Sequence, residues 1–231
     1  MSQNPQSHRQ HQSMYERYLR TDELLSLQTV ASERRHPDEL IFQVVHQTCE
    51  LWWKVAVESL DRARASLCDD DFPSASRLVQ HAVAAHQIAT SAMRQLNSMA
   101  PSDFLVIRAG LGDGSGGDSP GFRAILRTAP VLWDAFVEAL TRRGTSLLDV
   151  YRQPRDHPWV FECAEALTDF DEAFHLFRAA HLKLAQRHLG RTAVGTGGTP
   201  MAALERTLGD MLFPALWEAR DHLLSSVSES S

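Results

Sequence analysis

The first 109 residues of this 231-residue chain contain no glycine. All 12 glycines lie at or after Gly110, with six of them between Gly110 and Gly121 and four between Gly190 and Gly198. Hairpin sheets and Rossmann folds need glycine at turns along the whole chain. The distribution therefore argues against both fold classes, and it singles out two glycine-rich segments for closer attention.

Four further features are missing. No apolar run approaches the ~20 residues that span a membrane, and the polar stretch 1–13 lacks the apolar core of a signal peptide. The three cysteines contain no CxxC spacing, which argues against a zinc cluster or a disulfide framework. The net charge is −6 and there is no basic stripe, so nucleic acid is not an expected partner. We expect a cytoplasmic protein that does not bind membranes.

Apolar residues recur at intervals of three and four along most of the chain, and no long alternating pattern is present. This predicts an all-α fold built as a bundle of long helices. The predicted helices cover approximately 38–67, 74–99, 101–109, 120–127, 130–143, 159–189 and 201–225. We expect one domain at 14–225, with flexible tails at 1–13 and 226–231.

The first glycine-rich segment contains GDGSGG at 112–117, which matches the GxGxxG pattern of dinucleotide-binding loops. No strand precedes it, and Asp113 and Asp118 would repel a pyrophosphate. Two interpretations stay open: a flexible loop, or a loop whose backbone approaches a ligand closely. We favour the second.

Two ExxH motifs, at 33–36 and 172–175, match part of the di-iron pattern of helical bundles. That pattern needs Glu and His on one continuous helix. His36 precedes Pro37, which disfavours the helical conformation at His36. A di-iron site is therefore not expected.

Three other places in the sequence carry a side chain that could bind a ligand. Phe42 and His46 are four residues apart, on one helical face. His181 could be the single axial ligand of a haem. Phe104 and Arg108 are also four apart, and this arginine could grip a carboxylate. From spacing alone, each histidine could equally be a core residue, and Arg108 could form a surface ion pair.

Taken in order, four blocks resemble the tryptophan 2,3-dioxygenase family. YERYL at 15–19, followed by Asp22, is similar to the family's YxxYLxLD. DELIFQVVHQTCELWWK at 38–54 is similar to its HDExLFxxxHQxxELWFK helix. The third block is DFLVIR at 103–108 with the glycines that follow it, and the fourth is His181 with GTGGT at 195–199.

The resemblance implies an all-α homotetramer that binds haem b. His181 would be the proximal ligand of the iron. His46 would be the distal histidine beside the indole nitrogen, and Phe42 would pack against the indole ring.

The remaining site residues follow from the same resemblance. Phe104 would line the pocket, Arg108 would bind the substrate carboxylate, and Thr196 would bind its amino and carboxylate groups. Ser115 would lie near haem and substrate. A further group, from the N-terminal segment, would reach the pocket of a neighbouring subunit: Tyr15, Tyr18 and Leu19.

The reaction implied by the resemblance is the cleavage of the indole C2–C3 bond of L-tryptophan by O2, which gives N-formylkynurenine and opens the kynurenine pathway of tryptophan catabolism. The chain departs from the family pattern at Pro37, in the loop GDGSGGDSPGF at 112–122 and after GTGGT, where it continues PMAAL. These departures cluster in the substrate loops. A sister haem monooxygenase that makes a 2-oxindole from a tryptophan derivative is therefore the alternative, and a non-catalytic haem-binding bundle is a remote one.

Overall fold

The computed structural model describes residues 12–192, 194 and 201–228. Among these residues the regular structure is helical and no β-strand is present, which confirms the predicted all-α fold. No helix within the described ranges is both long enough and apolar enough to span a membrane.

Ten α-helices are present in the described ranges. They are α1 (Met14–Leu19), α2 (Thr21–Leu25), α3 (Glu39–Cys68), α4 (Phe72–Arg94), α5 (Pro101–Arg108), α6 (Pro120–Arg142), α7 (Leu147–Arg152), α8 (Pro158–Leu189), α9 (Met201–Arg206) and α10 (Pro214–Ser228). Short 3₁₀ turns lie at Gln95–Ser98, Gly116–Asp118 and Thr207–Gly209.

Side-chain caps fix where several helices begin. Asp71 accepts a hydrogen bond from the Ser74 backbone N–H at the start of α4, and Ser119 accepts one from Phe122 N–H at the start of α6. Each cap satisfies an N–H that has no partner inside the helix. After α6 the chain turns at Gly144, whose φ of +64° is a conformation that glycine adopts without strain.

Two predicted boundaries are wrong. The helices predicted at 120–127 and 130–143 are the single helix α6, which contains Pro130. Ala129 and Leu132 on either side of Pro130 are fully buried, so packing against the core outweighs the hydrogen bond that proline cannot make. The helix predicted at 201–225 is instead divided into α9 and α10 by the turn at Thr207–Gly209 and the residues that follow it.

The core lies where α3 packs against α4 and α6, and α4 packs against α8. Large side chains from these helices and from the segment before α10 are completely buried: Leu60, Phe72, Ile125, Phe136, Phe170, Phe174 and Phe213. Two of the three free cysteines, Cys49 and Cys163, are buried among them.

The N-terminus of α6 approaches α3 at Gly121. A Cβ added at this glycine would lie 2.7 Å from Glu50 Oε2 and 2.9 Å from Trp53 Cβ. Both distances are shorter than non-bonded contacts allow. A residue with a side chain would therefore push the two helices apart.

We predict that Gly121→Ala lowers the free energy of unfolding by about 1–3 kcal/mol, the usual cost of overpacking. Urea denaturation measures the effect. Gly209→Ala is the matched control, because a Cβ there would meet nothing within 4 Å. Equal denaturation midpoints for the two variants would contradict the close approach of α6 to α3.

The core also contains an uncharged histidine. His86 on α4 is fully buried, with Phe170 and Phe174 around its ring, and neither ring nitrogen has a hydrogen-bond partner among the described residues. Burial lowers the pKa of His86 to about 4. The Ala82 carbonyl offsets a small part of this pKa shift but lies outside hydrogen-bonding geometry.

This burial predicts a pH-dependent stability. The unfolded chain binds a proton at His86 below pH ~6.5, whereas the folded chain binds it only near pH 4, so acid favours unfolding across that interval. We expect His86→Phe to remove up to about 3 kcal/mol of the stability loss between pH 7 and pH 4. Urea denaturation at several pH values tests this, with the exposed His81→Gln as control. An unchanged pH profile in His86→Phe would contradict it.

Candidate functional site

A cavity of about 320 Å³ brings His46 and His181 to one place in the fold. It lies between α3, α6, α8 and the segment that joins α9 to α10. Most of its wall is apolar, with side chains that include Val45, Trp53, Met93, Phe122, Phe174, Phe177 and Leu182. A cavity of this kind, with a few polar groups in an apolar wall, is the usual form of a cofactor or ligand site.

His46 presents one nitrogen to the cavity. Its Nδ1 donates a hydrogen bond to the carbonyl oxygen of Phe42 at 2.7 Å, which leaves Nε2 without a proton. The Phe42 and His46 ring centroids are 4.2 Å apart. Solvent can reach the ring through the cavity, yet surrounding protein atoms still lower the pKa of His46. The residue is therefore a neutral hydrogen-bond acceptor at neutral pH.

His181 on α8 is the second histidine of the cavity. Its ring is parallel to that of Phe177, with centroids 6.4 Å apart and an angle of 2° between the planes. Burial, and then the nearby His46, lower the pKa of His181. Its ring nitrogens form no hydrogen bond with any described residue. A neutral imidazole with free nitrogens is the form that binds a metal.

Two further features fit a haem at His181. A Cβ at Gly116 would lie 3.4 Å from both Nε2 and Cε1 of His181, so a larger side chain there would fill the space beside this nitrogen. Arg178, one helical turn earlier, has a buried Nε with no partner among the described residues. Burial lowers the pKa of Arg178, but an arginine stays charged, and its charge suits the carboxylates that haem carries.

The remaining contacts of Arg178 hold the part of the cavity wall that is formed by the segment between α9 and α10. Its two terminal nitrogens donate to the backbone carbonyls of Thr207 and Asp210, and the guanidinium lies 5.0 Å from the Phe174 ring centroid. Asp171, two turns earlier on α8, accepts hydrogen bonds from Leu212 N–H and Phe213 N–H. Helix α8 thus holds the whole segment that follows α9.

Glu50 lies one turn after His46 on α3 and also lines the cavity. Its carboxylate accepts hydrogen bonds from the Ser119 hydroxyl and, at 2.9 Å, from Gly121 N–H. Neither Glu50 nor Arg178 was among the site residues predicted from the sequence. Their spacing from His46 and His181, four and three residues along the same helices, was the available signal.

Two of the predicted substrate residues, Phe104 and Arg108, lie on α5 and do not line the cavity. The Phe104 ring is 6.2 Å from Phe42 and is stacked on His188 at 4.7 Å. Arg108 donates a hydrogen bond to the carbonyl of Val194 at 3.1 Å. Arg108 therefore lies beside the second glycine-rich segment, which contains Val194.

Ser115 is beside the cavity without lining it. Its backbone N–H and hydroxyl both donate to Asp118, while the neighbouring Gly116 and Gly117 form the wall. Thr196 lies outside the described residues.

The N-terminal candidates lie on α1, on the surface, and do not line the cavity of their own chain. Their exposed fractions are 69% for Tyr15, 87% for Tyr18 and 44% for Leu19. Two aromatic rings and a leucine are therefore exposed together on this short helix.

The comparisons with known proteins agree with this geometry. The family model described as tryptophan 2,3-dioxygenase matches residues 1–128. A tryptophan 2,3-dioxygenase of Burkholderia pseudomallei (strain 668) is 32% identical over 92% of this chain and 85% of its own. The enzyme of the same name from Arthrobacter sp. (strain FB24) is 29% identical over 90% of this chain and 91% of its own.

We predict that Gly116→Leu abolishes tight haem binding, because its side chain would occupy the space beside His181 Nε2. Titration of haemin into the haem-free protein, followed at the Soret band, measures the affinity. Gly116→Ala should bind haem as the parent does, because its methyl group would lie at an ordinary contact distance. Equal affinity of the leucine variant would show that haem does not bind at this nitrogen.

Proposed function

Because the chain belongs to the tryptophan 2,3-dioxygenase family, we propose that it cleaves the indole C2–C3 bond of L-tryptophan with O2, in a haem-dependent reaction that yields N-formylkynurenine. The observation that carries the proposal is the pair of neutral histidines, His46 and His181, in one apolar cavity. No observation favours the monooxygenase or the non-catalytic alternative.

The cofactor side of the proposal rests on α8. His181 would ligate the haem iron, Arg178 would neutralise a haem carboxylate, and Gly116 would leave room beside the ligating nitrogen. When bound, haem b would supply the iron that activates O2. The apolar wall would keep water away from the reacting atoms.

The indole side rests on α3. Since His46 Nδ1 is bonded to a carbonyl, its Nε2 is an acceptor for the indole N–H of the substrate. The Phe42 ring, 4.2 Å from the imidazole, would hold the indole plane in one orientation. Both residues therefore act by positioning the substrate, which is the protein's main contribution in a cofactor enzyme.

The amino-acid end of the substrate would lie between α5 and the second glycine-rich segment. A guanidinium can bind a carboxylate through two parallel hydrogen bonds. The Arg108 guanidinium would bind the substrate carboxylate in this way. Its contact with Val194, two residues before Thr196, supports a shared site for these two residues. Phe104, four residues before Arg108, would close the pocket beside Phe42.

We also propose that the enzyme is a homotetramer. Four apolar residues on one face of α3 are exposed: Leu40, Val44, Leu51 and Val55. Tyr15, Tyr18 and Leu19 on α1 are also exposed. A neighbouring subunit would cover both groups of apolar side chains. The α1 residues would then complete the substrate pocket of that neighbour.

We predict that Arg108→Ala raises the KM for L-tryptophan roughly 10–100-fold while haem content is unchanged, because a charge-assisted bidentate contact is lost. Steady-state kinetics measure this. The exposed Arg62 on α3 provides the control substitution Arg62→Ala. A KM equal to that of the parent would remove Arg108 from the substrate site.

The proposed reaction itself is tested by incubating the haem-loaded protein with L-tryptophan and ¹⁸O2. Mass spectrometry should show a product that has gained two labelled oxygens. Gain of one oxygen would instead identify the monooxygenase alternative. A Soret band that stays identical to that of free haem in the presence of the protein would overturn the proposal as a whole.

A further inference from the structure

Glu50 joins two parts of the site that are distant in sequence. It lies on α3, one turn after His46, and its carboxylate accepts hydrogen bonds from Ser119 and Gly121. Both partners lie at the junction between α6 and the glycine loop, by which we mean residues 110–119. The contact therefore joins α3 to the C-terminal end of this loop.

The physical chemistry of this contact is favourable. Ser119 is the N-cap of α6, and Gly121 N–H is one of the first-turn donors that have no partner inside the helix. The N-terminus of a helix carries partial positive charge, which attracts a carboxylate. Gly121 is also the position where a Cβ would lie 2.7 Å from Glu50 Oε2, so glycine is what allows the approach.

The other side-chain hydrogen bonds of the loop join residues that are close together in the sequence. Ser115 donates to Asp118 within the loop, and Arg123 of α6 donates to the Asp118 carbonyl at 2.6 Å. These bonds shape the loop but do not attach it to the helix that carries His46. Glu50 makes that attachment. Gly116, three residues before Ser119, lies beside the His181 ring.

We infer that Glu50 is a positioning residue, which holds the glycine loop on α3 and thereby fixes Gly116 beside His181. Glu50 acts through the loop and not on the reacting atoms. Its consequence for catalysis rests on the proposed function, whereas its control of the loop does not.

Hydrogen–deuterium exchange of the purified protein, with and without haem, measures the attachment directly. In Glu50→Ala, peptides that cover 114–122 should exchange at least about tenfold faster, because hydrogen bonds to a charged group are lost. Glu50→Gln should show a smaller increase, since its amide oxygen still accepts from Gly121 N–H. The control is Glu58→Ala, an exposed glutamate two turns further along α3, which should leave these peptides unchanged.

Exchange in a double variant tests whether Glu50 acts on the loop through Ser119. The double variant Glu50→Ala/Ser119→Ala should accelerate exchange by less than the two single variants combined, because each single variant already removes the hydrogen bond between Ser119 and Glu50. Unchanged exchange in both Glu50 variants, or the same increase in Glu58→Ala, would overturn the inference. Absence of N-formylkynurenine together with the expected exchange pattern would instead count against the proposed function alone.

Discussion

The site depends on one constraint, which is that two neutral histidines share an apolar cavity. The two histidines lie on α3 and α8, and α4 packs against both of these helices. Burial lowers the pKa of both His46 and His181, so neither carries a proton that would block its free nitrogen at neutral pH. The same packing that stabilises the fold therefore prepares the two imidazoles for ligation and for hydrogen bonding.

Charged groups in this apolar setting each have a defined structural task. Glu50 accepts a hydrogen bond from the first turn of α6. Arg178 donates to the carbonyls of Thr207 and Asp210, at and after the turn that follows α9. Asp171 accepts from Phe213 N–H, just before α10. Buried charge is costly unless it is hydrogen-bonded, so each contact lowers that cost and also fixes a loop. The cavity walls on two sides are thus held by side chains of the helices that carry His46 and His181.

Periodicity was sufficient for the helices that matter most. The spacing of apolar residues predicted α3 and α8 nearly to their ends, and the i, i+4 rule predicted that Phe42 and His46 share a face. It failed at Pro130, where tertiary packing carries the helix through a proline. Glu50 and Arg178 were missed because their partners are distant in sequence. Local spacing contains no information about such partners, and the same is true of the stacking of Phe104 on His188.

The central claim is that His181 ligates the haem iron from α8. It is tested most directly by replacing His181 with glycine and recording the visible spectrum of the haem-reconstituted protein, with and without added imidazole. If His181 ligates the iron, the spectrum of the parent is lost in His181→Gly and returns when imidazole fills the space left by the side chain. A parental spectrum in the variant without imidazole would show that another residue holds the iron.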